Sequence, residues 1–502
     1  MAHLRGPAPL LVGGFALAAC AAAAVVVGAL YSPLIGLAAG CAIALMIPVA
    51  VYGVEWGVPV FALMLVALEE FPSGLAETGA EGVERSTRTA FYAKSMGLSG
   101  LYPSDVILLG LLGLLFMNAV LLRRRRFFAM DSVGLMVIAL ITMVILSAVI
   151  SLAAGDPFSG SIPEDDTTVL YHFNDRALRL IGVFQIKNFV MLLPAYLCGL
   201  LYLDRPERLE RLLMAILVGF VVLACEGVAR VARHPGILGQ GSPLFYDSPS
   251  SWFFALFAFY TVSAWGRGVI TGYRAAAFGL FSAVLMLFVV ISFRRTMWGG
   301  IAISGAAILA ALPGRARLRL ILGGAAIAAV AGTALILSPV GALIAEKVGQ
   351  RIDQTGGTDL STIYRLAMFV HFSHGDDTPV FGWGVTPLWN KLVQFGYLTF
   401  NLENMHSLYF WIWLRTGLAG FTVATIAFLF LLGRAGTVFI ASHTPQIKAL
   451  ALCLLAMIFI YLFSGVFNPV YGEFRYIVPL GLALAILTRL PQFDRMSPGP
   501  PC

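Results

Sequence analysis

Apolar runs long enough to cross a bilayer alternate with short polar segments along almost the whole chain. Read against the roughly 20 residues that a helical span needs, the runs fall at 9–31, 33–53, 57–69, 103–122, 132–153, 178–203, 211–229, 251–266, 275–293, 298–312, 319–343, 406–433, 449–467 and 475–489. They predict an all-α polytopic membrane protein. Counted in full they give 14 transmembrane helices, or 12 if the short third and tenth runs are fused or re-entrant pieces. One stretch interrupts the alternation. Residues 344–405 form a long polar and aromatic loop between spans, which divides the chain into spans over 1–343, the loop, a second group of spans over 406–489 and a tail over 490–502.

Composition agrees with the pattern. The chain of 502 residues is 59% hydrophobic and only 12% charged, where a soluble domain carries about a quarter charged residues. The net charge of +7 does not point to nucleic acid, because the arginines mostly flank spans, where orientation and anionic lipid account for them. Cys20, Cys41, Cys198, Cys225 and Cys453 lie in apolar runs, Cys502 is terminal and no CxxC pair occurs, so neither a disulfide framework nor a cysteine metal site is indicated. Leu17-Ala18-Ala19-Cys20 resembles a lipoprotein cleavage box, but the apolar run continues to about Tyr31 and is read as an uncleaved helix.

Arginine clusters set the orientation. Arg123 to Arg126, the group Arg205, Arg208 and Arg211, and the group Arg315, Arg317 and Arg319 all fall on one side of a 14-span chain. The positive-inside rule makes that side cytoplasmic. The 344–405 loop then faces outward, together with 70–102 and 154–177, and the tail lies inside. For a bacterial inner membrane, outward is the periplasm.

Within the loop, Ser361 or Thr362 can cap a helix reaching about Phe372, with Ile363, Leu366, Ala367 and Val370 as its buried stripe. Gly375, Asp376, Asp377 and Pro379 end it, and Gly382-Trp383-Gly384 is a turn. A small extracytoplasmic helical lid is expected. His371 and His374 share a helix face, but no third ligand stands at a useful spacing, so a metal site is not indicated.

Charges inside spans mark function by default. Arg176, Arg179 and Lys187 share one face of the sixth span, and the stripe descends roughly 16 Å from the outer surface. Snorkelling explains the two arginines easily and Lys187 poorly. Arg294 and Arg295 sit in the turn between the ninth and tenth spans, and Arg415, Glu226, Glu473 and Arg475 fall in the outer half. Several guanidinium groups near the outer surface suit a multiply charged anion such as a diphosphate, whose oxygens pair with Arg forks.

Three motifs carry a resemblance: Arg365, then Pro379-x-x-Gly382-x-Gly384, then His406-Ser407-Leu408-Tyr409 leading to Gly417-x-x-Gly420. With the Arg294-Arg295 turn and the Pro103-Ser104-Asp105 start of a span, this pattern resembles the O-antigen ligase / polysaccharide polymerase family. The resemblance covers roughly 100–480, with specific motifs at 290–300 and 365–420. Ser407 stands where asparagine is commoner, and Arg294-Arg295-Thr296 replaces a Ser-Arg-Gly turn.

The resemblance implies a GT-C-like membrane enzyme that moves a glycan from a polyprenyl (undecaprenyl) diphosphate carrier to an acceptor hydroxyl, without metal or other cofactor. His406 is then the general base, and Arg365 with Arg295 stabilises the departing diphosphate. Arg294, Arg176, Arg179, Lys187 and Arg415 hold that diphosphate. Inversion at the anomeric carbon is expected, because no second nucleophile is evident. The implied partners are a lipid-linked glycan donor, a glycan or lipid acceptor, membrane lipids and other polysaccharide-assembly proteins. Polymerase and ligase remain equally open, as does the choice between Arg294 and Arg295.

Two other classes fit a polytopic chain: a transporter or flippase of lipid-linked glycans, and a non-catalytic scaffold for envelope assembly. A transporter is expected to bury charge near the midplane on broken helices, whereas here charge gathers in the outer half.

Overall fold

The computed structural model describes residues 54–68, 102–119, 131–153, 186–233, 248–292, 295–336, 370, 380–382, 384, 392–395, 398–401, 407–467 and 474–496. Their helices are α1 (Val54–Ala67), α2 (Pro103–Met117), α3 (Ser132–Ala153), α4 (Leu192–Tyr202), α5 (Pro206–Arg233), α6 (Ser248–Gly266), α7 (Gly272–Ile291), α8 (Arg295–Ala311), α9 (Gly314–Ile336), α10 (Leu408–Ala441), α11 (Pro445–Phe467) and α12 (Phe474–Met496). The helical stretch that becomes α4 begins at Ile186. The runs at 9–31 and 33–53, the Arg123–Arg126 block, most of the 344–405 loop and the end of the tail lie outside the described residues.

Six of these helices, α3, α5, α7, α10, α11 and α12, are long and apolar enough to cross a bilayer. The chain is a multi-pass helical membrane protein. Each described apolar run becomes a helix because a chain in hydrocarbon must satisfy every backbone N–H and C=O within the segment. Several helices overrun their apolar runs. α5 begins at Pro206 and α9 at Gly314, so Arg208, Arg211, Arg315, Arg317 and Arg319 lie in the first two helical turns rather than in connecting loops. Arginine is a good helix former, and nothing at those positions stops the helix before its polar flank. The described part of the 344–405 loop also contains a short antiparallel hairpin, β1 (Leu392–Phe395) with β2 (Leu398–Asn401), registered Phe395 to Leu398. The lid helix expected over about 361–372 lies outside the described residues except for Val370, and no hairpin was expected. The β-formers Val393, Phe395, Thr399 and Phe400, with the Gly396-Tyr397 pair between the runs, favour the hairpin.

Small residues allow the closest helix pairing. A methyl added at Gly481 of α12 would lie 2.7 Å from Ala195 Cβ of α4, and one added at Gly199 of α4 would lie 2.6 Å from Ala485 Cβ of α12. The two small-x-x-x-small pairs are reciprocal, which lets the backbones approach where hydrophobic burial gives little drive between helices in lipid. α1 packs chiefly on α5, α10 on α11 and α3, and α6 on α7 and α11. Trp252, Tyr461 and Tyr476 form a buried aromatic knot where α6, α11 and α12 meet, with the Trp252 and Tyr476 rings 5.1 Å apart.

Polar contacts sort the helix ends into two faces. On one, Arg208 is buried and pairs with Asp204 at 2.8 Å, while Arg211 pairs with Glu55. Tyr196 donates to Asp131 at 2.9 Å, and Asp494 accepts from the Thr444 N–H at 2.9 Å, on the same side. The opposite face carries Asp105, Lys187, Ser147, Arg415 and Arg475. Of the charged groups that the sequence reading assigned to the outer half, Lys187, Arg415 and Arg475 thus share one end of the bundle.

Arg475 is fully buried there. Its guanidinium donates to Leu65 O at 3.0 Å, Val66 O at 2.9 Å and Ser250 Oγ at 3.1 Å, and lies over the Phe253 ring. It thereby closes the C-terminal end of α1, whose last carbonyls have no intrahelical donor, and its charge complements the helix dipole.

Candidate functional site

α10 is 34 residues long. An unbroken helix of that length would extend about 51 Å, well past a hydrocarbon core of about 30 Å. It does not run unbroken. Gly417 has φ 64° and ψ −167°, a conformation open essentially to glycine alone. The break parts Arg415 O from Ala419 N, which a continuous helix would join.

A turn carrying Val380, Phe381, Gly382 and Gly384 fills that gap. Gly384 N donates to Arg415 O at 3.0 Å and Ala419 N donates to Val380 O at 3.1 Å, so two bonds to the turn replace one helical bond. Arg415 Nη1 donates to Gly384 O at 3.2 Å and its side chain is buried. Gly382 and Gly384 have φ of 73° and 65°. At Gly382 a methyl would lie 2.5 Å from both Arg415 C and Gly417 N, so the turn fits only as bare backbone. Ser147 of α3 locks the joint from the other side. Its buried hydroxyl donates to Phe381 O at 2.9 Å and lies within hydrogen-bonding reach of Arg415 O.

A second polar group lies at the same end of the bundle. Lys187 Nζ pairs with Asp105 Oδ2 at 2.5 Å and sits 3.6 Å from the centre of the Tyr102 ring. The same carboxylate oxygen accepts from Tyr102 N at 2.7 Å, closing the start of α2. Asp105 is fully buried and Lys187 nearly so, and burial of the two together is tolerable because each cancels the other's charge. Phe189, two residues from Lys187, packs on Trp411 of α10 at 6.2 Å between centroids. That ring contact ties the helical stretch leading into α4 to the first turn of α10.

The starts of α8 and α10 share a platform on α11. Met297 lies against Ser464, with Oγ to Sδ at 3.4 Å, and methyls at Gly299 and Gly300 would meet the Phe463 ring at 2.9 and 3.2 Å. On the same stretch Tyr409 donates to Leu462 O at 3.0 Å and Gly465 makes room for Leu408. Before α8, Ser292 bonds Ser251 at 3.0 Å and Val289 O at 2.7 Å, which fixes the end of α7 and ties it to α6. Two helix N-termini with their partial positive charge are therefore held against Leu462–Gly465.

Among the residues singled out from the sequence, Lys187 and Arg415 are described, Lys187 in an ion pair and Arg415 in the turn clamp. Arg295 is the first residue of α8, its side chain lying outside the described residues. Arg176, Arg179, Arg294, Arg365 and His406 also lie outside them, although His406 directly precedes Ser407, the residue before α10. Ser147 was missed. Asp105 was noted only as part of a motif, and its partner could have been sought by asking which buried cation lies at the same depth. Compared with known protein families and with curated proteins, the chain matches no family profile and no curated sequence. The described residues contain no group of three or more His, Cys, Asp or Glu placed to hold a metal ion.

Proposed function

We propose that the protein is a polyprenyl-diphosphate-dependent glycan transferase of the O-antigen ligase or polymerase kind, working at the outer face of a bacterial inner membrane. The observation that carries this reading is the shared platform. α8, headed by Arg295, and α10, preceded by His406, both seat their first turns on Leu462–Gly465 of α11. Helix N-termini attract anions, and an arginine beside them is suited to the charge that develops as the carrier diphosphate departs. His406, which precedes Ser407 in the chain, suits removal of the acceptor hydroxyl proton. Arg365 is the second diphosphate ligand of this reading, and Arg294, Arg176 and Arg179 lend further positive charge. The Gly417 break ties Val380 and Gly384 of the loop to α10, which supports a role for the loop at this end of the bundle. The donor is a lipid-linked glycan, and the acceptor is another glycan or a lipid.

A transporter or flippase of lipid-linked glycans is the second reading. The broken α10 and the buried Lys187–Asp105 pair favour it, since transporters bind cargo at interrupted helices. Against it, the break stands only nine residues into α10 and the chain's own turn already occupies it.

The test reconstitutes the full protein with a polyprenyl-diphosphate glycan and candidate acceptors. Transfer in the wild type and its loss in Arg365→Ala and His406→Ala is the expected result. Transfer that survives both changes would sink the catalytic assignment, and movement of glycan across vesicles without transfer would favour the second reading.

A further inference from the structure

A cavity of about 440 Å³ opens between the α1–α5 pair and the group α6, α7, α11 and α12. Its walls are apolar, with Leu213 and Leu217 of α5, Phe257 of α6, Phe278 of α7, Leu454 of α11 and Leu482 of α12 among them. At the outer end, Leu65, Val66 and Phe253 are buried beneath Arg475 and close it. Toward the arginine-rich face it reaches Glu210 and Ile270, residues at the starts of α5 and α7. Its wall on α5 is incompletely covered, with Met214 exposed, so the opening is sideways, into the leaflet that borders the arginine-rich face. A cleft at that depth is filled by whatever the bilayer offers.

The two polar groups at the mouth narrow the choice. Glu210 lies on the cavity-facing side of α5, on the same helix face as Leu213 and Leu217. It has neither a hydrogen bond nor an ion-pair partner among the described residues. Arg274 lies four residues before Phe278 on α7, hence on the same helix face. Its contacts among the described residues are with its neighbour Tyr273. Glu210 thus borders the apolar cleft, and Arg274 stands one helical turn before its Phe278 wall.

We propose that this cavity binds one acyl chain of a zwitterionic phospholipid with a primary ammonium headgroup, of the phosphatidylethanolamine type. The chain occupies the apolar walls, the ammonium donates to the Glu210 carboxylate, and the phosphate accepts from the Arg274 guanidinium. A purely anionic headgroup would place its charge against Glu210. A choline headgroup has no N–H to donate. The site is separate from the outer-face platform and does not depend on the transferase reading.

Native mass spectrometry of the full chain in mild detergent tests it, with matched dioleoyl lipids bearing ethanolamine, choline or glycerol headgroups, and polyprenyl phosphate as a fourth probe. One ethanolamine lipid is expected to bind, about tenfold tighter than the choline lipid, the value of a charged hydrogen bond. Glu210→Gln, an exposed change that leaves the core intact, is expected to erase that preference. Leu217→Trp, at the half-buried wall, is expected to remove bound lipid while the melting temperature stays near that of the wild type. Equal binding of ethanolamine and choline lipids, tighter binding of the glycerol lipid, displacement by polyprenyl phosphate, no bound lipid, or an unchanged adduct in Leu217→Trp with its fold intact would each overturn the proposal.

Discussion

Arg415 O and Ala419 N, the two ends of a missing helical hydrogen bond, are bonded instead to Gly384 N and Val380 O of one turn. A loop segment has been spliced into a membrane helix at the level of its hydrogen bonding. The arrangement resolves two problems at once: the surplus length of α10, and the backbone groups that a break in a low-dielectric setting would leave bare.

Replacing either glycine of the joint by alanine should undo it. Gly417→Ala puts a Cβ on a backbone conformation that only glycine adopts readily, at about 1–3 kcal/mol. Gly382→Ala adds a clash with the α10 backbone to a similar penalty. Both variants should melt earlier in detergent than the wild type, and Gly433→Ala, with open space around it, should not. Equal melting of all three would show that the turn does not depend on bare backbone.

Ser147→Ala removes the hydroxyl that reaches Phe381 O and Arg415 O. Leaving a buried carbonyl without its donor costs about 1–3 kcal/mol. Hydrogen exchange at the Gly384 and Ala419 amides should accelerate in this variant, while amides in α11 and α12 keep their protection. Unchanged exchange at both amides would remove Ser147 from the joint.

Lys187 and Asp105 should behave as a pair. Lys187→Met leaves a carboxylate buried without compensation, a loss of roughly 3–5 kcal/mol. Combining it with Asp105→Asn should recover much of that stability. Thermal unfolding of the two single variants and the double variant in the same detergent measures the coupling, and simple additivity would show that the ion pair contributes nothing of its own.

The α4–α12 contact should tolerate no bulk. Gly481→Leu forces apart backbones that now approach with Gly481 against Ala195 and the Leu192 carbonyl, and overpacking costs about 1–3 kcal/mol or more. Gly433→Leu is the matched control, since nothing lies near that position. A shift in melting temperature in the first and none in the second is the expected outcome.

The spans were legible because an apolar run of membrane length has few alternatives to a helix. Their ends were less so. Nothing in Pro206-Glu207-Arg208 or Gly314-Arg315-Ala316 distinguishes the flank of a helix from its first turn, and both are helical. Gly417 and Gly420 stood out as a spacing, yet the spacing alone does not say that the first glycine breaks the helix and the second lies under Thr416. Ser147 was invisible for a simpler reason. A serine within a 22-residue apolar helix usually bonds its own preceding turn, and the partner of Ser147 is 234 residues away. Lys187 and Asp105 each read as a charge out of place, and the fold supplies the proximity that makes them one feature.

Arg475 bears on the order in which the chain is built. The carbonyls of Leu65 and Val66 leave the ribosome some 409 residues before the guanidinium that receives them. During synthesis α1 waits with an open end, and it is completed only when the last helix has entered the membrane. A truncated product lacking α12 carries that defect permanently, in a place where no water can mend it. The arginine therefore works as a check on completeness, since the first described helix of the bundle is sealed by the last.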